Sequence, residues 1–129
     1  MTTLRWVHPF QLGAVDMDGA HRRLFECSQA AILALQQGET QVATRAVATL
    51  GDESRRHFDS ENRLMQQVAY PGYINHQEQH RRLLRQLDRL QLALALHRPD
   101  LRRAIHFLRG WFTLHLLRDD ARLSTFLVR

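Results

Sequence analysis

Cysteine, lysine and long apolar runs are scarce or absent in this 129-residue sequence. The single cysteine, Cys27, excludes a disulfide within the chain and fits a reducing compartment. No apolar run reaches the ~20 residues that a membrane-spanning helix needs, and the first residues lack the basic segment and apolar stretch of a secretory signal. Together with a length that suits one core, these absences predict a single cytoplasmic domain over residues 1–129.

The absence of lysine makes arginine the source of all 18 basic side chains, against 13 acidic ones, for a net charge of +5. Paired arginines are spread along the chain, from Arg22-Arg23 to Arg102-Arg103. Nucleic-acid binding usually needs a basic cluster on one face or a known reading motif, and no such motif is present. We therefore interpret the charge as a solvated surface and expect no nucleic-acid partner.

Glycine and proline are few, and they divide the chain into four amphipathic segments. The breaks fall at Gly38, at Tyr70-Pro71-Gly72 and around Pro99, while Asp18 suits the N-cap of the first helix. No stretch shows the strict alternation of a β-strand. The prediction is all-α: an up-down-up-down four-helix bundle with an N-terminal arm over 1–17 and helices over about 19–37, 41–69, 73–97 and 100–127.

Polar side chains interrupt the apolar stripe of each predicted helix. Buried positions recur at alternating steps of three and four residues. Along that path the second helix carries His57 and Glu61, the third carries His76 and His80, and the first carries His21. An unpartnered buried polar group costs about 1–3 kcal/mol and a buried charge far more, so these groups need one another or a metal as partners.

The fourth helix contains two neighbouring carboxylates that compete for the inward position. The stripe that leads to His115 would continue to Asp119 and then to Arg122, a poor core residue. A path displaced by one residue passes through Asp120 and is otherwise apolar. Helix drift or a single π-type turn would produce this shift. We therefore predict Asp120, and not Asp119, as the inward carboxylate.

The predicted inward set holds five histidines and two carboxylates: His21, His57, Glu61, His76, His80, His115 and Asp120. Imidazole suits iron, zinc, copper and nickel, and carboxylates bridge two ions in di-iron helix bundles. With two carboxylate bridges and one oxo or hydroxo bridge, a metal with three nitrogens has six ligands and a metal with two nitrogens has five. The count predicts one open coordination position for a small molecule.

Four short motifs surround these positions, in order along nearly the whole chain. They are HRRLF at 21–25 after Trp6, Gly13 and Met17-Asp18, HFDSE at 57–61, YPGYINHQEQH at 70–80, and WFTLH at 111–115 with Asp120 behind it. In these motifs the sequence resembles the hemerythrin family, specifically the single-domain bacterial hemerythrins. It departs from the family pattern at Ala20, Asn62 and Leu123, which surround the ligand positions without removing one.

The resemblance implies a role for each residue of the inward set. His76, His80 and His115 would bind one iron, His21 and His57 a second, and Glu61 and Asp120 would bridge both. Dioxygen would bind end-on at the iron held by His21 and His57, in an apolar pocket. The expected lining lies one to four residues from the ligands: Leu24, Phe58, Trp111, Phe112 and Leu116.

The leading functional prediction is reversible dioxygen binding for storage, delivery or sensing, without enzyme activity. Five histidines against two carboxylates favour binding, because oxygen-activating di-iron enzymes typically have carboxylate-richer shells. One alternative is a di-iron enzyme that reduces peroxide or nitric oxide or has weak oxidase activity. Another is a redox or iron sensor that acts through a separate signalling or oxygen-consuming protein. His8, His97 and His106 match no motif position and are predicted to be surface groups.

Overall fold

Helices joined by short turns make up the computed structural model, which describes residues 15–97 and 100–127. The first three are α1 (Val15–Gln36), α2 (Thr40–Gln67) and α3 (Tyr73–Ala95). The fourth arm runs through α4 (Leu101–Gly110), α5 (Thr113–His115), a π-helical segment (Leu116–Asp120) and α6 (Ala121–Leu127). No strand occurs in the described ranges, and the predicted all-α four-helix bundle is confirmed.

Short connections make sequential helices of the bundle antiparallel neighbours. α1 packs against both α2 and α4, and α2 also packs against α3. The turn after α1 is closed by Gly38 at φ 72°, a conformation that glycine adopts without strain. The Gly38 and Glu39 amides donate to the carbonyls of Leu35 and Ala34, which caps the end of α1 as a Schellman motif.

The first helix begins earlier than the sequence predicted. α1 starts at Val15, so Asp18 lies in its first turn and does not precede it as an N-cap. An interior glycine such as Gly19 costs a helix only about 1 kcal/mol, which packing elsewhere offsets, so the Asp-Gly pair was a misleading start signal. Of the predicted arm, residues 15–17 are helical and residues 1–14 lie outside the described residues.

The other helix ends lie within two residues of the expected positions, which is the ordinary scatter at frayed ends. Asp100 caps α4, since its side chain accepts a hydrogen bond from the Arg103 amide at 3.2 Å. The fourth arm was predicted as one helix whose buried face shifts near His115. It is interrupted at Trp111 and Phe112, which was not predicted, and it widens after His115, where the shift was expected.

Apolar packing forms two clusters of unequal size. The larger one fills most of the bundle with side chains from all four arms, among them Leu24, Ile32, Val47, Leu50, Leu87, Leu94, Leu108 and Phe112. The smaller one centres on Met65 and Leu123, with Tyr70 and Tyr73 packed against it near the turn between α2 and α3. Positions 57, 61, 76, 80, 115 and 120 fall in the same half of the bundle, near that turn.

Among the described residues, no helix is both long and apolar enough to cross a membrane. The cytoplasmic location expected from the sequence stays a prediction.

Packing at the turn between α2 and α3 can be tested at Gly72, with Gly110 on α4 as a control. A Cβ on Gly72 would lie 2.8 Å from a ring carbon of Tyr70, a ring that also packs against Phe126 with centroids 5.1 Å apart. We expect Gly72→Ala to displace this ring and lower the free energy of unfolding by about 1–3 kcal/mol, the usual range for overpacking. Urea unfolding of the two proteins measures the difference.

Gly110 is the matched control, because no atom lies within 4 Å of a Cβ placed there. Gly110→Ala should leave stability unchanged or raise it by up to about 1 kcal/mol through helix propensity. Equal changes in the free energy of unfolding for the two substitutions would show that contact with the Tyr70 ring does not make Gly72→Ala destabilising.

Candidate metal centre

Each arm of the bundle contributes polar side chains to one buried cluster. α2 supplies His57 and Glu61, and α3 supplies His76 and His80, each pair on one helix face because the two residues are four apart. α1 and the fourth arm supply the rest. All seven residues predicted from the sequence are buried: His21, His57, Glu61, His76, His80, His115 and Asp120.

Asp120 reaches the cluster because the helix widens directly after His115. In a regular α-helix, a residue five positions after His115 would be rotated by about 140° from it. The π-helical segment Leu116–Asp120 adds a residue to the turn and brings Asp120 onto the inward face. The Asp120 side chain is 0% exposed, while that of Asp119 is 13% exposed. The shift of the buried face expected from the sequence is therefore a π turn.

Glu61 presents its two carboxylate oxygens to different histidines. Oε2 lies 3.1 Å from Nε2 of His57 and 3.9 Å from Nε2 of His21. Oε1 lies 3.0 Å from Nε2 of His80 and also contacts Nε2 of His76. One carboxylate thus faces two separate groups of imidazoles.

The two oxygens of Asp120 also face different histidines. Oδ2 lies 3.0 Å from Nε2 of His21, and Oδ1 lies 2.9 Å from Nε2 of His76 and 3.1 Å from Nε2 of His115. The result is two donor sets that share both carboxylates, with the donor atoms of each set within 4.8 Å of one another. One set adds His76, His80 and His115, and the other adds His21 and His57.

Unpartnered buried atoms indicate that the cluster fits metal ions. Nε2 of His21, His57, His76 and His115 has no hydrogen-bond partner of acceptable geometry, and neither do Oε2 of Glu61 and both oxygens of Asp120. Leaving each such atom unpaired would cost about 1–3 kcal/mol. Imidazole nitrogens and carboxylate oxygens that converge without hydrogen bonds are the donors that first-row metals bind, and two ions would satisfy them.

When no metal is bound, contacts between carboxylates and imidazoles of the cluster shift pKa values toward the charged forms. Burial alone would raise the pKa of Glu61, but the close imidazoles of His21, His57 and His76 hold this pKa well below its ordinary value. Burial and the Glu61 charge raise the pKa of Asp120, while His115 and His21 lower it to about 2. Both carboxylates are therefore ionised at neutral pH.

Three of the histidines, His21, His76 and His115, carry raised pKa values for the same reason. Burial lowers the pKa of His21, but Asp120 and Glu61 outweigh it and raise that pKa to about 9. Burial also lowers the pKa of His115, and Asp120 and Asp119 raise it to about 10. Metal binding to these nitrogens would therefore release protons.

The outward nitrogens of two histidines have hydrogen-bond partners that were not predicted from the sequence. Nδ1 of His80 lies 2.8 Å from Oδ1 of Asn62, and Nδ1 of His115 lies 3.0 Å from Oδ2 of Asp119. When Nδ1–H donates to these oxygens, the lone pair of Nε2 points at the cluster. The available signals were the four-residue spacing of His115 and Asp119 and the position of Asn62 directly after Glu61.

The five predicted pocket residues are all buried, but their contacts with the cluster differ. The Phe112 ring lies 5.5 Å from that of His21, and the Phe58 ring lies 5.7 Å from that of His57. Phe58 also stacks on His80 at 4.1 Å, and the Trp111 indole N–H donates to the Leu83 carbonyl. Leu24, Leu116 and Trp111 belong to the same apolar cluster, and their contact with a bound ligand stays a prediction.

The remaining candidates from the sequence lie outside the cluster. His97 and His106 are exposed, and Cys27 is half-buried. His8 falls outside the described residues. The structure therefore brings together the seven predicted side chains and no other histidine among the described residues.

Comparison with known proteins agrees with this arrangement. The family model described as the hemerythrin HHE cation-binding domain matches residues 12–127. A solved structure described as a leucine-to-phenylalanine mutant is 21% identical, covers 97% of both chains and has a TM-score of 0.87. A leucine-to-tyrosine mutant of hemerythrin is 20% identical with the same coverage and TM-score. A search of curated proteins found no match.

The fold and the cluster together define a class of protein: a helix bundle whose arms converge on a buried candidate metal site of His, Glu and Asp side chains. Within that class, the family match covers most of the chain, and the protein belongs to the hemerythrin family.

The raised histidine pKa values predict how the metal-free protein responds to alkali. A group whose pKa is higher in the folded state stabilises the fold below its unfolded pKa and loses that contribution as the pH rises through the folded pKa. With a metal chelator present, we expect stability to fall between about pH 7 and pH 10, as His21 and His115 lose their protons. A fall in melting temperature on the order of 10 °C would be readily measured by circular dichroism.

His115→Gln should flatten this pH dependence, and the same substitution at the exposed His106 on α4 should leave it unchanged. Equal stability of the chelated wild-type protein at pH 7 and pH 10 would contradict the assignment of protonated histidines to the cluster.

Proposed function

We propose that the protein is a di-iron protein that binds dioxygen reversibly. The observation that carries this proposal is the division of Glu61 and Asp120, each of which presents one oxygen to each histidine group. A site for one ion would need only one such group. Shared carboxylates are the arrangement by which helix bundles bridge two ions.

The proposed ligand assignment follows the two donor sets. His76, His80 and His115 would hold one iron, His21 and His57 the other, and Glu61 and Asp120 would bridge them. Nitrogen and oxygen donors without sulfur suit iron among other metals, and the resemblance to hemerythrins favours iron. The charges of the two carboxylates would offset half of the four positive charges of two ferrous ions.

The unequal number of histidines supports a vacant coordination position at the ion held by His21 and His57. Iron held by these residues would supply the reversible two-electron chemistry that dioxygen binding needs. The contribution of the protein is to exclude water from this position. The rings of Phe112 and Phe58 lie beside these two histidines, and the Phe58 side chain is 1% exposed. A water-poor site slows the loss of reduced oxygen species to solvent.

The surroundings of the cluster favour binding over catalysis. Apart from the seven candidate ligands, the buried polar side chains among the described residues are Ser28, Ser54 and Ser124. The Ser54 hydroxyl donates to the Leu50 carbonyl at 2.6 Å. None of these serines is an effective general acid or base at neutral pH, which a peroxide- or nitric-oxide-reducing enzyme would use.

Iron loading under anaerobic conditions, followed by air, tests the proposed function. We expect two iron ions per chain and a visible charge-transfer band that forms with oxygen and disappears under vacuum over repeated cycles. Immediate and irreversible conversion to the ferric state would contradict reversible binding and favour the enzyme or sensor alternative.

Two glutamates provide a matched test of the bridge. Glu61→Gln removes the charge of a fully buried carboxylate that faces four imidazoles, so we expect iron content to fall below two per chain. Glu78→Gln, on the exposed face of α3 where Glu78 pairs with Arg81 at 2.8 Å, should retain two iron ions. The measurement is iron content by elemental analysis, with circular dichroism to verify that both variants fold. Full loading of Glu61→Gln would contradict a bridging role for Glu61.

A further inference from the structure

Two histidines of the three-histidine set differ in the charge of their outer partners. Nδ1 of His80 faces the neutral amide of Asn62, whereas Nδ1 of His115 faces the carboxylate of Asp119. The two inward nitrogens otherwise lie in similar settings, 3.0 Å from Glu61 and 3.1 Å from Asp120. The pair therefore separates the effect of a hydrogen bond from the effect of a negative charge.

Asp119 is held in place from both sides. Its Oδ2 faces His115 at 3.0 Å, and its Oδ1 lies 3.4 Å from Nε of Arg118. The carboxylate also lines an open cleft of about 440 Å³ between α3 and the fourth arm. The Asp119 side chain is 13% exposed, so this carboxylate meets solvent on one side and His115 on the other.

The π turn makes this partnership available. It rotates Asp120 into the cluster, and Asp119 stays four residues after His115, on the outer side of the same imidazole. Two consecutive carboxylates can then contact opposite nitrogens of one ring: Asp120 faces Nε2 and Asp119 faces Nδ1.

From this geometry we propose that Asp119 is a positioning residue that fixes the orientation of His115 and, through its negative charge, strengthens His115 as a metal donor. This inference rests on the proposed function, because it assigns Nε2 of His115 to a metal. A carboxylate that accepts Nδ1–H raises the basicity of the opposite nitrogen, as in carboxylate–histidine–metal triads. A more basic donor stabilises the ferric state relative to the ferrous state, so the charge of Asp119 lowers the reduction potential of the centre.

The first experiment measures affinity for cobalt(II) by competition with a chelator, which needs no oxygen chemistry. Asp119→Ala should weaken binding of one of two cobalt ions about 10–100-fold, the usual cost of losing an outer partner of a metal-bound histidine. Asp119→Asn keeps an oxygen that can accept the Nδ1–H but loses the charge, so it should recover affinity to within about 3-fold of wild type, and the remaining loss measures the effect of the charge on cobalt(II). Circular dichroism of the metal-free proteins verifies that each variant folds.

The second experiment separates charge from position through the reduction potential of the iron-loaded protein. Asp119→Asn should shift the potential to a more positive value although metal affinity is restored. Asn62→Asp, the reciprocal change beside His80, should shift it to a more negative value. A purely structural role for Asp119 would leave the potential of Asp119→Asn at the wild-type value.

Wild-type cobalt affinity in Asp119→Ala, or an unchanged potential in Asp119→Asn, would overturn this inference. If the wild-type chain still bound two metal ions, the proposed function would stand. A wild-type chain that binds fewer than two metal ions would overturn the proposed function and this inference together.

Discussion

The structure depends on how two buried carboxylates are partnered. Glu61 and Asp120 lie in the interior of a small bundle, where an ion without a partner is costly, and the imidazoles of five histidines surround them. Without metal, the protons that His21 and His115 retain through their raised pKa values balance these charges. With two metal ions, the same nitrogens and oxygens would become ligands. Each arm of the bundle contributes to the cluster, so metal binding and helix packing are linked.

The fourth arm shows how far that constraint shapes the backbone. A uniform α-helix could not turn both His115 and Asp120 inward, because the two positions would lie about 140° apart. The π-helical segment between them resolves the conflict within five residues. π turns are rare and occur frequently at functional sites. With Asp120 turned inward, Asp119 contacts the outer nitrogen of His115. The two neighbouring carboxylates therefore face opposite nitrogens of one imidazole.

Much of this could be predicted from the sequence, because helical periodicity determines which residues share a face. The pairs His57–Glu61 and His76–His80 follow from their four-residue spacing, and Asp120 follows from the apolar path that continues to Leu123. The start of α1 could not be read in this way, since Asp18-Gly19 carries a start signal that the longer helix overrides. The interruption of the fourth arm at Trp111 and Phe112 could not be read from helical periodicity either.

For the hydrogen bonds at the outer nitrogens, the sequence offered candidate partners by spacing but could not select among them. Which oxygen meets Nδ1 of His80 or His115 depends on the side-chain rotamers, and packing between arms selects these. Asn62 was visible only as a departure from the family pattern, although it retains the acceptor that His80 needs. The pocket is similar: burial of the five lining residues was predictable, but not that the Phe112 ring lies beside His21 and the Phe58 ring beside His57.

Whether two iron ions share Glu61 and Asp120 can be seen in an anomalous diffraction map from a crystal of the iron-loaded protein, recorded at the iron absorption edge. We expect two peaks roughly 3.5–4 Å apart, the spacing of carboxylate-bridged metal pairs, with one oxygen of each carboxylate directed at each peak. A single peak in the cluster, or iron bound only at exposed histidines such as His97 and His106, would contradict this expectation.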